Sequence, residues 1–305
     1  MKIFCTGATG FIGSYLVKRL ISCDNELMCM KRNTSKLDRV EDVKNRIRWI
    51  NHDKNWENKV LEFRPDVIFN LAWDGVASAQ RVVWDEQISN IKMQQELLNI
   101  ALECGTRKII GVGSQSEYGE FEKKIDENYP VSPKTAYAAA KVGALTILKT
   151  FCEINNIDWY WFRLFPIFGP GESSVWLIPT LIKNMCTSDH MDLTPGQQRL
   201  PYLYVGECAN AIASASLVEG KCGIYNVCSN NSISLKELVS MIRDKVNPAF
   251  KLNFGAQSYR YGQTMYMEGD TTKIRKNLYN LKTDDFDQRL NETIEYYLNL
   301  YGYGK

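Results

Sequence analysis

Gly7-Ala8-Thr9-Gly10-Phe11-Ile12-Gly13 decides the fold of this chain. The run Met1-Lys2-Ile3-Phe4-Cys5-Thr6 before it reads as a buried strand. After it, Ile12, Leu16, Leu20 and Ile21 share one helical face. A strand that turns through glycines into a helix is a phosphate cradle. Glycine lets the backbone turn sharply and lets a pyrophosphate come close, and the helix N-terminus offers N–H groups and a positive dipole end. The common dinucleotide fingerprint is G-x-G-x-x-G. Here the spacing is G-x-x-G-x-x-G, a departure within the same mechanism.

Outward from this stretch, strand and helix patterns alternate. Glu26–Met30, Arg48–Asp53, Pro65–Ala72 and Lys108–Gly113 read as strands, and Trp84–Cys104 as a helix with Ile88, Ile91, Leu97, Leu98 and Leu102 at its apolar positions. The expected fold class is α/β: a Rossmann-type doubly wound parallel sheet with a smaller C-terminal α/β part. Residues 1–165 form the expected dinucleotide-binding domain and 166–305 the substrate domain, with strands between about 201 and 228 returning to the first. An NAD-binding unit of this kind carries an acid after its second strand for the ribose 2′-hydroxyl. This chain carries Lys31 and Arg32 there. An arginine fork suits a 2′-phosphate, so NADP(H) is the preferred cofactor and NAD(H) the alternative. Asp53, closing the third strand, is expected to face the adenine.

The strand Lys108–Gly113 runs into Ser114-Gln115-Ser116-Glu117-Tyr118-Gly119, and Tyr137-Ala138-Ala139-Ala140-Lys141 follows. Spacing of four puts Tyr137 and Lys141 on one helix face. A nearby ammonium favours phenolate, which tunes a weak acid of pKa ~10 for proton transfer nearer neutrality.

Composition narrows the function. A net charge of +2 leaves no nucleic-acid footprint. Nine scattered cysteines without C-x-x-C pairs suggest reduced thiols of a cytosolic protein and no zinc site. No apolar run approaches a membrane span. His52 and His190 sit in no motif, so neither a histidine triad nor a metal site is expected.

Together the glycine stretch, Ser114 four residues before Tyr118-Gly119, and the Tyr137/Lys141 pair resemble the extended short-chain dehydrogenase/reductase family, in particular its nucleotide-sugar epimerases, dehydratases and 4-ketoreductases. Arg163–Gly171, Gln197–Val205, Tyr225–Ser229 with Ser234–Leu238, and Arg260 before Asp270 carry the resemblance almost to the chain's end. It implies Ser114, Tyr137 and Lys141 as catalytic residues. It implies cofactor contacts from Gly7, Thr9, Gly10, Phe11, Ile12, Gly13, Leu71, Ala72, Trp73, Asn90, Phe165 and Ile167. Its implied substrate is a nucleoside-diphosphate sugar, met by Ser78, Gln115, Ser116, Trp176, Arg199 and Arg260. It also implies a homodimer formed through the Trp84–Cys104 and Tyr137–Ile154 helices.

Departures from the family pattern sort the activities. Dehydratases carry Asp-Glu after the catalytic hydroxyl, where this chain has Gln115-Ser116; Glu117 comes one position late, reachable only through a loop shift. Epimerases usually carry Asn at the position of Pro166, and Asp where Gly206-Glu207 stands. The expected activity is NADPH-dependent reduction of the 4-keto group of a 4-keto-6-deoxysugar nucleotide. A 4-epimerase is the alternative, ahead of a 4,6-dehydratase or a non-catalytic cofactor-binding regulator. Leu177, Leu181 and Ile182 are expected in the core, Met265–Met267 as a core strand, Glu292–Leu298 as an amphipathic helix and 302–305 as a frayed tail.

Overall fold

The computed structural model describes residues 1–259 and 263–302. Seven parallel strands make the central sheet: β1 (Lys2–Thr6), β2 (Glu26–Lys31), β3 (Arg48–Asn51), β4 (Val67–Asn70), β5 (Lys108–Ser114), β6 (Asp158–Leu164) and β7 (Gly223–Val227). Their order is β7-β6-β5-β4-β1-β2-β3. The winding reverses between β1 and β4, and at such a point a crevice opens beyond the carboxyl ends of the strands. The α/β doubly wound fold is therefore present.

Alternation along each strand divides the core. Ile3 and Cys5 face a layer built on α1 (Phe11–Ile21) and α6 (Val205–Ser214), with Leu16, Leu20, Ala209 and Ile212 buried there. Phe4 faces the opposite layer, of α2 (Trp56–Phe63), α3 (Trp84–Cys104) and α4 (Ala136–Ile154), with Phe63, Leu97, Leu98 and Leu148. A further core joins α5 (Leu177–Thr187), α7 (Leu235–Val246) and the C-terminal helix Phe286–Tyr301 through Leu181, Leu238 and Leu290. β7 enters from this later stretch of chain yet pairs with β6 from Gly223↔Tyr160 to Val227↔Leu164.

Local chemistry sets the boundaries that matter for the site. Thr135 accepts from the Ala138 N–H at 3.2 Å and so starts α4 two residues before Tyr137. Ser114 and Glu117 form a capping box that turns the end of β5 into a 3₁₀ turn. Three expectations are corrected. Ile88 and Leu102 of α3 are 55% and 51% exposed, because α3 buries only the stripe through Leu97, Leu98 and Ala101. Met265–Met267 makes no continuous strand: Tyr266 forms one bridge to Arg199, and Met267 is buried. Leu177 is only partly buried and turns to a cavity, whereas Leu181 and Ile182 are core. Of the expected tail, residues 303–305 lie outside the described residues. Among the described residues no helix is long and apolar enough to cross a membrane.

Candidate active site

The glycine stretch folds as a cradle. Gly7 holds φ +72, and a Cβ there would lie 2.7 Å from the Ala72 amide nitrogen, at the end of β4. A Cβ on Gly13 would fall 2.1 Å from the Gly7 carbonyl oxygen, so the helix packs directly on the loop. Gly10 caps α1 with no side chain of its own, leaving the first-turn N–H groups to a ligand. The Thr6 hydroxyl donates to Asn70 Oδ1 at 2.9 Å and accepts from the Ala72 N–H at 3.0 Å, which ties the β1 and β4 ends together beneath the cradle. Arg39 bonds the Gly171 carbonyl at 2.8 Å and the Thr9 carbonyl at 3.4 Å, linking the cradle to the loop after β6.

Two cavities flank this edge. One, of about 370 Å³, is lined by Gly7, Thr9, Lys31, Arg32, Ser35 and His52, with Leu71, Ala72, Trp73 and Asn90 across from them. Lys31 Nζ donates to Asn51 Oδ1 at 2.9 Å, and Arg32 pairs with Asp74 at 3.0 Å. The donor set and the bare backbone fit a dinucleotide: cationic side chains and the glycine turn before α1 line the same cavity.

The second cavity, of about 440 Å³, gathers Ser114, Gln115, Tyr137 and Lys141 with Phe11, Ile12, Phe165, Ile167 and Trp176. Ser114 Oγ donates to Ser116 Oγ at 3.1 Å and accepts from the Ser116 N–H at 3.1 Å. Lys141 Nζ donates to the Val112 carbonyl at 2.7 Å. Burial pulls the Lys141 ammonium down to about 7, against the charge of Glu117. Burial pushes the Tyr137 phenol up, and Arg81 and Ser114 oppose the rise. The expected source of that opposition, Lys141, is replaced by Arg81, whose guanidinium carbon sits 4.8 Å from the Tyr137 ring centre. Arg81 also accepts the Tyr137 N–H on its carbonyl at 2.9 Å. The arrangement can hold an oxygen between a hydroxyl and a phenol and move one proton to or from it.

The sequence profile described as the NAD dependent epimerase/dehydratase family matches residues 3–228. The chain belongs to that family. As a nucleotide-sugar epimerase/dehydratase family enzyme it is 25% identical over 280 residues to CDP-abequose synthase of Salmonella muenchen, covering 90% of this chain and 91% of that protein. It is 23% identical over 269 residues to dTDP-6-deoxy-L-talose 4-dehydrogenase (NAD(+)) of Aggregatibacter actinomycetemcomitans, covering 85% of this chain and 97% of that one. Its fold superposes with a TM-score of 0.88 on UDP-N-acetylglucosamine 4-epimerase from Methanobrevibacter ruminantium M1, at 23% identity and 98% coverage of both chains.

Within this epimerase/dehydratase scaffold several expected residues stand elsewhere. Asp53 is solvent-facing: Lys59 binds its carboxylate at 2.8 Å and holds it below the usual carboxylate range, together with the Asn55 N–H. His52 lines the cavity instead. Ser78 is exposed on a turn, and Val76 and Arg81 line the cavity from that loop. Arg199 spends its guanidinium on the Ser232 carbonyl at 2.7 Å, with Glu237 at 3.6 Å, so Leu200 and Tyr202 face the cavity in its place. Ser116 accepts from Ser114 Oγ and is not among the residues lining the cavity. Arg260 lies outside the described residues. Glu117 is not among the residues that line the cavity. It is fully buried and accepts from Arg163 Nε at 2.7 Å, Trp161 Nε1 at 3.0 Å and the Ser114 N–H at 2.9 Å. Sequence reasoning missed Arg81, Glu172 and Tyr202. Glu172 lines the cavity, and burial raises its carboxyl to about 8. Only Glu172 carried a signal, as a carboxylate directly after Gly169-Pro170-Gly171.

Proposed function

We propose that this enzyme reduces the 4-keto group of a nucleoside-diphosphate 4-keto-6-deoxysugar, with NADPH as the preferred cofactor. The observation that carries the reading is the loop after Ser114. Gln115 and Ser116 supply no acid–base pair, and Glu117 is committed to Arg163, so eliminating water lacks its groups while a single proton transfer keeps Ser114 and Tyr137. The bound cofactor would supply the hydride to C4. Tyr137 donates its Oη proton to the forming alkoxide, Ser114 hydrogen-bonds that oxygen, and Lys141 holds the cofactor's ribose. Lys31, Arg32 and Ser35, with no acid at the second-strand end, favour a 2′-phosphate. The name of the Aggregatibacter relative, a 4-dehydrogenase of a 6-deoxysugar, supports the sugar class, although that name specifies NAD(+).

A 4-epimerase is the second reading, favoured by the near-complete fold overlap with the Methanobrevibacter enzyme. Pro166 weakens it, because proline offers neither an amide side chain nor an N–H. The deciding experiment incubates the protein with NADPH and a panel of 4-ketosugar nucleotides and follows the reduced-nicotinamide absorbance. Stoichiometric loss with one substrate is expected. No loss, with a new epimer arising from an unoxidised sugar nucleotide, overturns the reductase reading. The protein is further proposed to be a homodimer, on the strength of Trp84 and Ile88 on α3 and Ile147 on α4, exposed at 59%, 55% and 40%. A monomer by light scattering at micromolar concentration refutes it.

A further inference from the structure

Lys141 Nζ donates a hydrogen bond to the Val112 carbonyl from a site that leaves the residue 4% exposed. Three aromatic rings surround it. The Trp73 ring centre lies 3.5 Å from Nζ, and those of Tyr137 and Trp161 lie 5.9 Å away. The Trp73 face is therefore the closest of the three rings. It is also a fixed face. Trp73 Nε1 donates to Gln87 Oε1 at 2.8 Å, and Gln87, fully buried, is pinned in turn by donating to the Gly75 carbonyl at 2.9 Å. Trp73 lines both cavities, so the ring is the wall between them.

We propose that Trp73 is a positioning residue: its indole face, locked by Gln87, holds the Lys141 ammonium charged and aimed at the junction of the two cavities. A cation over a ring within about 6 Å is attracted by the ring quadrupole, most strongly where water is absent. Among the described residues, the other charged and titratable groups facing Lys141 are Glu117, on the turn after β5, and Tyr137 on its own helix. Glu117 is already paired with Arg163, so its pull is shared. Burial has brought Lys141 to about 7, where losing one stabilising face tips it to the neutral amine near neutral pH. A neutral amine keeps two N–H donors but loses the charge that attracts an anionic cofactor.

The test needs no substrate and is independent of the proposed reaction. The full chain is labelled with 13C at lysine Cε, the Lys141 signal is assigned from its loss in Lys141→Met, and its pH titration is followed by NMR. In Trp73→Leu, which keeps an apolar side chain without a π face, the midpoint should fall by about one pH unit. Trp73→Phe keeps a face and should restore most of the shift. An unchanged or higher midpoint in Trp73→Leu, or a Phe variant that behaves like Leu, overturns the proposal. Far-UV circular dichroism on both variants separates this outcome from unfolding, and if Leu fails to fold, the Phe variant beside Gln87→Leu, which frees the indole, carries the same comparison.

Discussion

The two cavities share one sheet edge and are made in opposite ways. The cofactor-side cradle comes from seven consecutive residues, and its working parts are backbone: a positive φ at Gly7, a contact at Gly13 too close for a Cβ, and helix amides left open. The catalytic cavity is assembled from separate pieces of chain, around Trp73–Arg81, Val112–Gln115, Tyr137–Lys141, Leu164–Ile178 and Leu200–Tyr202. Its working parts are side chains whose neighbours are far apart in sequence. A backbone device tolerates few substitutions and has one solution. A side-chain device can be retuned residue by residue, so this is where members of one family diverge in chemistry.

The sharpest way to break that contrast is Tyr137→Phe. It should remove about 10²–10⁴-fold of kcat, the worth of a positioned proton donor, and leave the cofactor Kd from fluorescence titration unchanged. A Kd that weakens in step with kcat would mean that the two cavities are not separable. Next comes Glu117→Gln. It leaves Arg163 buried at 2% exposure without its counter-charge, a change that costs about 3–5 kcal/mol and should appear as a large loss of Tm. A variant as stable as the parent would mean the pair does not organise the turn that carries Ser114.

Arg32→Ala acts on the cofactor side and should be smaller. Arg32 is exposed and paired with Asp74, and an exposed pair of this kind contributes at most about 1 kcal/mol, so a phosphate can take the arginine over. The NADP/NAD ratio of kcat/KM should fall by about tenfold, equivalent to about 1.4 kcal/mol. An unchanged ratio removes the case for NADP.

Legibility in the sequence follows the same division. The cradle, the sheet and the span of α3 could be read because spacing and periodicity encode backbone geometry directly. Ser114, Tyr137 and Lys141 could be read because a strand end and one helix turn bring them to the same edge, and all three line one cavity. Asp53 misled because a cation six residues on, Lys59, claims its carboxylate, and His52 beside it faces the opening. Arg199 misled because a strand pairing with Ser234 carries it next to the Ser232 carbonyl. Arg81 and Tyr202 were invisible. Nothing local marks a loop arginine that will lie over a ring fifty-six positions later, at Tyr137.

Glu172 gives the finest test of how the catalytic cavity is tuned. Its carboxyl is raised to about 8 by burial alone, so near neutral pH the wall beside Pro166 and Tyr202 is mostly an uncharged acid. Above pH 8 it ionises, and a negative charge then faces an anionic sugar nucleotide. The substrate KM should rise several-fold between pH 7 and 9 in the parent, and that rise should vanish in Glu172→Gln. Stability carries the matching sign. A carboxyl whose folded value lies above its unfolded value of about 4.3 supports the fold below that pH and loses its contribution as pH climbs to about 8. The Tm of Glu172→Gln should therefore gain on the parent across that window and hold a constant lead above it. A Tm difference that is flat from pH 5 to 8 would show that Glu172 ionises normally and that the cavity wall is charged under working conditions.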